Sequence, residues 1–192
     1  MRKFVIFAML ALFLGSAIGS EKPKREYRYG DKGYFGTARA NYIMWNFDSS
    51  IPAVSVDIIN GYSFNPWFML GGGLGVVYTH YSGDKSSDNK SHGAVRVPVY
   101  LHLRGNLLDR RVTPFLAVNL GGGFCKGYAE RHLIYHPEII NHLYGFLYEE
   151  VQLGVAARLK GGQMIDFGLS VPLDIMGHGA NGGLKFSFGY TW

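Results

Sequence analysis

The last stretch of the chain, residues 184–192 with the sequence LKFSFGYTW, constrains the fold more than any other. Its residues alternate, so that one face of a strand would carry large apolar side chains and the other small or polar ones. The apolar face consists of Leu184, Phe186, Phe188, Tyr190 and Trp192, and the other face of Lys185, Ser187, Gly189 and Thr191. A row of exposed aromatics promotes aggregation in water, whereas in a bilayer it faces lipid and its rings sit at the interface. The stretch therefore favours a membrane strand over the alternative, a buried strand of a soluble sandwich.

Seven earlier stretches alternate in the same way. They cover residues 34–45, 53–63, 67–80, 95–103, 113–124, 143–159 and 165–173. Each reaches the length of about 9–11 residues that a tilted transmembrane strand needs. An even number of antiparallel strands returns both chain ends to one side of the membrane. The sequence therefore predicts an all-β fold, an eight-stranded antiparallel transmembrane up-and-down β-barrel over residues 33–192.

The predicted connections alternate in length. Short turns are expected at 65–66, 105–111 and 160–163, and longer loops at 81–93, 126–142 and 174–182. Short turns on the periplasmic side and long loops on the outside are typical of outer-membrane barrels. The first connection, 46–52, is short for an outer loop and fits this pattern less well.

Residues 1–20 have the pattern of a secretory signal peptide. Arg2 and Lys3 precede the apolar run 4–14, and Ala17 and Gly19 form a small-x-small cleavage site. The apolar run is too short for a helix that crosses about 30 Å of hydrocarbon. We expect export to the outer membrane of a Gram-negative-type cell envelope, with the polar residues 21–32 as a periplasmic tail.

Several stretches carry a resemblance to a known family. They are GYFGTARANY, NGYSFNPWFMLGGGLGVVY, VPVYLHLRGNLL with VTPFLAVNLGGGF, and the terminal strand. Together they resemble the outer-membrane protein β-barrel domain family, small porin-family barrels of the OmpX and OmpA type. The terminal stretch also resembles the C-terminal signal that the barrel-insertion machinery recognises, with Phe186, Phe188, Tyr190 and Trp192 as its aromatic residues. The resemblance implies an architecture and no activity, with the insertion machinery and outer-membrane lipid or lipopolysaccharide as partners of a monomer.

The inward faces of the predicted strands carry many charged residues. An eight-stranded barrel has an interior just wide enough for its own side chains, and an unpaired ion there costs several kcal/mol. We therefore predict a polar plug and no open channel. The predicted lumen network consists of Arg39, Asp57, Arg96, Arg104, Glu150, Arg158, Asp166 and Lys185. If the turn at 161–163 has three residues, Arg158 and Asp166 lie directly opposite each other on the inner face.

Some eight-stranded barrels are enzymes that modify lipid A, and a serine enzyme of this kind would need a base and an acid beside its nucleophile. The candidates are His80 with Ser82 and His92 with Ser91, all near loop edges. Adjacency in sequence does not place a base within reach of a nucleophile, nor an acid behind the base. The sequence therefore does not predict an enzyme.

Other chemistry has weak support in the sequence. His132, His136 and His142 could bind a metal, but at this spacing in a loop they are expected to be solvated, and no cofactor is expected. Cys125 is the single cysteine, and we expect it to be structural. The formal net charge of +5 comes with no basic stripe or motif that would predict nucleic-acid binding.

The sequence thus favours an integral outer-membrane barrel with a structural or surface-interaction role, acting through its outer loops. A narrow passive pore is one alternative and a lipid A-modifying barrel enzyme is another. A third is a soluble carrier of the lipocalin type, because the mean hydropathy of +0.02 does not by itself reveal a membrane protein.

Overall fold

A computed structural model describes residues 33–48, 51–81, 92–127, 144–159, 162–176 and 179–192. Its eight strands are β1 Gly33–Trp45, β2 Pro52–Asn65, β3 Phe68–Tyr81, β4 His92–Asn106, β5 Val112–Gly127, β6 Tyr144–Arg158, β7 Met164–Met176 and β8 Gly179–Thr191. Each strand pairs antiparallel with the next, and β8 pairs with β1 to close the barrel. The predicted fold class is confirmed. The described residues contain no helix that is long and apolar enough to cross a membrane.

The alternation in the sequence separates the two faces of the barrel wall. Val56 and Phe167 face outward and are 59% and 63% exposed, whereas their chain neighbours Asp57 and Asp166 face inward and are 2% and 0% exposed. The same arrangement recurs on every strand, because successive side chains of a strand point to opposite faces. The result is an apolar outer wall around an interior that holds the buried charges together with clusters of apolar side chains.

The barrel has two distinct ends. The terminal end holds the start of β1, the end of β8 and the turns 66–67, 107–111 and 159–163. The loop end holds the connections 46–51, 82–91, 128–143 and 177–178. Two of the loop-end connections are long and two are short.

The prediction of a loop at residues 174–182 is wrong. β7 runs to Met176 and β8 begins at Gly179, so Asp174 pairs with Asn181 inside the sheet. The glycines of this segment are typical of a loop, but the β7–β8 ladder continues through them, with Gly182 paired with Leu173 and Gly179 paired with Met176.

The register between β6 and β7 differs from the one a three-residue turn would give. Arg158 pairs with Met164, and Asp166 pairs with Ala156. The turn comprises residues 159–163, so the predicted direct opposition of Arg158 and Asp166 is wrong. Both side chains nevertheless face inward, because the offset is an even number of residues.

The seam between β1 and β8 extends to the last residue of the chain. Gly36 and Trp192 exchange two backbone hydrogen bonds, with N···O distances of 3.1 and 2.9 Å. A Cβ atom on Gly36 would lie 2.6 Å from the Trp192 ring, so the glycine allows the indole to lie flat on the neighbouring strand.

Inward-facing glycines of β3 make room for bulky side chains from neighbouring strands. A Cβ atom on Gly73 would lie 2.2 Å from the Tyr100 ring, and one on Gly75 would lie 2.3 Å from Asp57 Oδ1. The outward-facing Gly72 has no atom within 4 Å of its Cβ position. Packing therefore leaves no room for a side chain at these two interior glycines, whereas the outward Gly72 has room for one.

This difference predicts opposite outcomes for two adjacent substitutions. Gly73→Val should prevent the barrel from closing around Tyr100, so the variant should lack the heat-modifiable gel mobility of a folded barrel. Gly72→Val, the matched control, should fold as the wild type does. Equal behaviour of the two variants would contradict the described packing.

Candidate functional site

The barrel interior is the candidate site, because most charged side chains of the described strands lie there. All eight predicted lumen residues point inward, and none is more than 4% exposed. They form three layers along the barrel axis and one pair at the terminal end. The eight are Arg39, Asp57, Arg96, Arg104, Glu150, Arg158, Asp166 and Lys185.

In the middle layer, one lysine bridges two carboxylates from distant strands. Lys185 Nζ lies 3.1 Å from Asp57 Oδ2 and 3.2 Å from Glu150 Oε2. Asn41 donates a further hydrogen bond of 2.8 Å to Asp57 Oδ2. Charge-assisted hydrogen bonds of this kind are stronger than neutral ones. This ammonium therefore joins β8 to β2 and to β6 across the lumen.

Glu150 is the most extensively bonded carboxylate of the middle layer. Tyr148 and Ser170 donate their hydroxyl protons to it, and Asn119 Nδ2 donates at 2.8 Å. Asn119 Oδ1 in turn lies 2.6 Å from His102 Nδ1. Because a buried polar network is stabilising when its members are satisfied, these bonds fix Glu150 in one orientation.

The terminal layer places two arginines on one aspartate. Arg104 Nη1 donates to Asp166 Oδ2 at 3.0 Å, and Arg39 Nε lies 3.7 Å from Asp166 Oδ1. Arg39 also donates to Gln152 Oε1 at 3.0 Å, and the Arg104 guanidinium lies 3.9 Å from the centroid of the Phe115 ring. Asp166 thus pairs with these two arginines rather than with Arg158.

The loop-end layer contains Asp174, an inward carboxylate that the strand pattern did not predict. Asp174 Oδ2 lies 3.6 Å from Arg96 Nε, and Asp174 is 1% exposed. Arg96 also donates to Thr79 at 3.1 Å and stacks 4.6 Å from the centroid of the Trp45 ring. Continuing the alternation from Asp166 through Ser170 would have placed Asp174 on the inner face.

Arg158 finds its partner in a turn rather than across the lumen. Its Nη1 donates to Asp109 Oδ1 in the connection 107–111, where the Asp109 side chain is half exposed. A sequence pattern of strands cannot reveal this pair, because it depends on how the turn folds back over the terminal end.

The layers are neutral only when taken together. In the middle layer Lys185 faces two carboxylates, and in the terminal layer two arginines face one. The excess negative charge of the first is therefore offset by the excess positive charge of the second. Since unpaired buried ions are costly, the two layers depend on each other.

Little space is left near the loop end of the interior. A cavity there has a volume of about 10 Å³ and borders Trp45, Arg96, Asp174 and Lys185. This is close to the minimum that holds one water molecule. At this level of the barrel, side chains fill the lumen.

The remaining candidates from the sequence are scattered. His80 faces outward near the loop end, and Cys125 is fully buried on the inner face. Within the described ranges, no group of three His, Cys, Asp or Glu residues could hold a metal ion. The signal peptide 1–20, the tail 21–32, Ser82, Ser91, His132, His136 and His142 lie outside the described residues.

The four aromatic residues of the predicted insertion signal all face outward. Phe186, Phe188, Tyr190 and Trp192 are between 37% and 55% exposed. Phe188 packs on Phe167 of β7 with ring centroids 5.0 Å apart. These rings form part of the apolar wall.

Solved structures of other proteins share this barrel fold. The Neisserial surface protein A structure, NspA, superposes with a TM-score of 0.59 and 13% identity, covering 84% of this chain and 97% of that one. The outer membrane enzyme PagL gives a TM-score of 0.48 at 11% identity, covering 80% and 97%. Ail of Yersinia pestis, the attachment invasion locus protein, gives 0.47 at 11%, covering 85% and 99%. At 11–13% identity, the likeness to these structures extends to the fold alone.

No protein-family model matches the sequence, and no curated protein sequence matches it.

The bridging role of Lys185 leads to a stability prediction. Lys185→Met would leave Asp57 and Glu150 buried together without their cation, which should lower the free energy of unfolding by about 3–5 kcal/mol. Urea titration of the barrel in lipid vesicles measures this change.

A second substitution serves as the control for charge. Adding Asp57→Asn to Lys185→Met removes one of the two unpaired carboxylates, so part of the lost stability should return. If the double variant lost as much stability as Lys185→Met and Asp57→Asn lose together, the ionic bridge would not be the source of the effect.

Proposed function

We propose that this chain, which has the fold of eight-stranded outer-membrane barrels, is an integral outer-membrane protein whose closed, ion-paired interior makes it a rigid support for its loop-end connections. In this proposal the role is structural or interactive, and neither transport nor catalysis. The observation that carries it is an apolar outer wall around an interior filled by the three ionic layers together with clusters of buried apolar side chains.

The distribution of polarity argues against the soluble carrier. A carrier in water needs a polar exterior and an apolar cavity for its ligand, as small ligand-holding barrels have. Here Val54, Leu74 and Leu153 are more than half exposed on the outer wall, whereas Arg104 and Asp166 are buried inside. Such a wall is stable in hydrocarbon and would aggregate in water.

The two ends of the barrel suggest its orientation. An even number of strands brings the start of β1 and the end of β8 together at the terminal end, which we assign to the periplasm. The loop end then faces outward and presents the long connections 82–91 and 128–143. These connections are the proposed site of surface interaction.

The chemistry of the wall gives little support to the lipid-modifying enzyme. An esterase acting on a lipid needs a nucleophile with a base in reach. The serines of the described strands, Ser55, Ser63, Ser170 and Ser187, all face inward and are buried. His102 bonds to Asn119 in the lumen, away from lipid.

The closed interior also argues against the passive pore, and this can be tested directly. The purified barrel in a planar lipid bilayer should insert and give no stable single-channel conductance steps, because the buried side chains of the interior occupy the space that a channel would need. Reproducible discrete steps, with the spectrum of a folded barrel, would contradict the proposal. Failure to insert at all would contradict the membrane location itself.

A further inference from the structure

One carboxylate lies on the apolar outer wall of the barrel. Glu149 of β6 faces outward between Leu147 and Val151, which are 60% and 53% exposed. Its neighbours on the adjacent strands are Leu120 and Leu173. On the outer faces of the described strands it is the only acidic side chain.

The register gives the depth of Glu149 in the membrane. Phe124, an aromatic residue at the loop end of the wall, pairs with Gly145, four residues from Glu149 along β6. With a rise of about 3.3 Å per residue and a tilt of about 40°, four residues span roughly 10 Å along the barrel axis. Apolar outward residues continue below Glu149 to Ala157. Glu149 therefore lies inside the hydrocarbon band, in the third nearest the loop end.

The other polar groups on this wall lie nearer to the interfaces. His80 and Lys126 are close to the loop ends of β3 and β5, and Asn60 is two residues from Tyr62 near the terminal end. Side chains at these levels reach water or headgroups. Glu149 is placed too deep for its short side chain to do so.

A carboxyl group in hydrocarbon needs a hydrogen-bond partner. Within the described part of the chain, no cation or donor bonds to Glu149, and the lysine and arginines of the lumen lie behind the wall. Because the side chain faces the membrane, a lipid is the partner that its position favours.

The wall beside Glu149 leaves room for such a partner. Gly122 faces outward opposite Leu147, diagonally above Glu149, and Gly145 follows one step nearer the interface. At Gly145 a Cβ atom would meet nothing closer than 3.7 Å. Since glycine often marks a site of close approach, a lipid can pack against the backbone here.

We infer that Glu149 recognises a membrane lipid that carries hydroxyl or amide N–H donors at the roots of its acyl chains. Its depth selects this chemistry, because a headgroup ammonium lies outside the aromatic residues, whereas donors at the acyl roots lie just inside them. A carboxylate accepts such hydrogen bonds through both of its oxygens. This inference rests on the proposed outer-membrane location, and the lipid class that fits is a glycolipid with amide-linked hydroxyacyl chains.

A thermodynamic cycle between protein and lipid tests the inference. Wild type and Glu149→Leu are unfolded with urea in phosphatidylcholine vesicles, with and without lipid A that bears amide-linked 3-hydroxyacyl chains. The lipid A should raise the folding equilibrium constant of the wild type about tenfold more than that of Glu149→Leu, as expected for loss of a hydrogen bond to a charged group. An equal increase in both proteins would overturn the inference.

Two controls separate this site from general effects. Val151→Leu changes the adjacent outward residue without removing a polar group, and it should respond to lipid A as the wild type does. Glu149→Gln keeps an acceptor oxygen and should retain part of the response. A synthetic glycolipid with the same sugars but ester-linked, unhydroxylated chains should give no coupling, and a full response to it would assign recognition to the headgroup and overturn the inference.

The outcome also distinguishes the inference from the function on which it rests. If the wild type does not fold into phosphatidylcholine vesicles, the proposed membrane location fails. If all variants fold there and lipid A has no Glu149-dependent effect, only the lipid site fails.

Discussion

The structure depends on the pairing of charges in a lumen too narrow to hydrate them. Lys185 bridges Asp57 and Glu150, and the surplus negative charge of that layer is offset by the two arginines around Asp166. The pairs of Lys185 with Asp57 and of Asp166 with the arginine of β1 join strands that meet only when β8 closes against β1. A partly closed barrel would leave buried ions unpaired, so the network favours full closure over intermediates. It also fills the space that a channel would need.

The outer wall obeys the complementary constraint. In hydrocarbon every backbone group must bond within the protein, and a closed barrel is the arrangement of strands that achieves this. The seam at Gly36 and Trp192 completes the ladder at the terminal end. A polar side chain on this wall needs a hydrogen-bond partner from lipid or from the interface. Glu149 is the acidic side chain of the described wall to which this requirement applies. A rigid core of this kind is suited to hold long connections at one end.

Much of this fold follows from the sequence because a period of two identifies both strands and faces. The inward set from Arg39 to Lys185 was predicted on that basis alone. Where the pattern was interrupted by glycine, as after Asp174, strand and loop could not be told apart. The partners of Arg158 and Lys185 depend on turn length and on closure across the barrel, which no local pattern encodes. Glu149 and Glu150 are adjacent in the sequence and chemically identical. They differ in the face of β6 on which they lie: Glu149 faces outward, where we propose that it contacts lipid, and Glu150 faces inward, where it accepts hydrogen bonds in the lumen.

The natural tryptophans allow the most direct test of which face meets lipid. Trp45 lies in the interior and is 3% exposed, whereas Trp192 lies on the outer wall and is 55% exposed. Variants that keep one of these and replace the remaining tryptophans with Phe can be folded into vesicles of brominated lipid. Fluorescence of the variant with Trp192 should be strongly quenched, and that of the variant with Trp45 much less. Equal quenching of both, or stronger quenching of Trp45, would contradict an ionic interior enclosed by a lipid-facing wall.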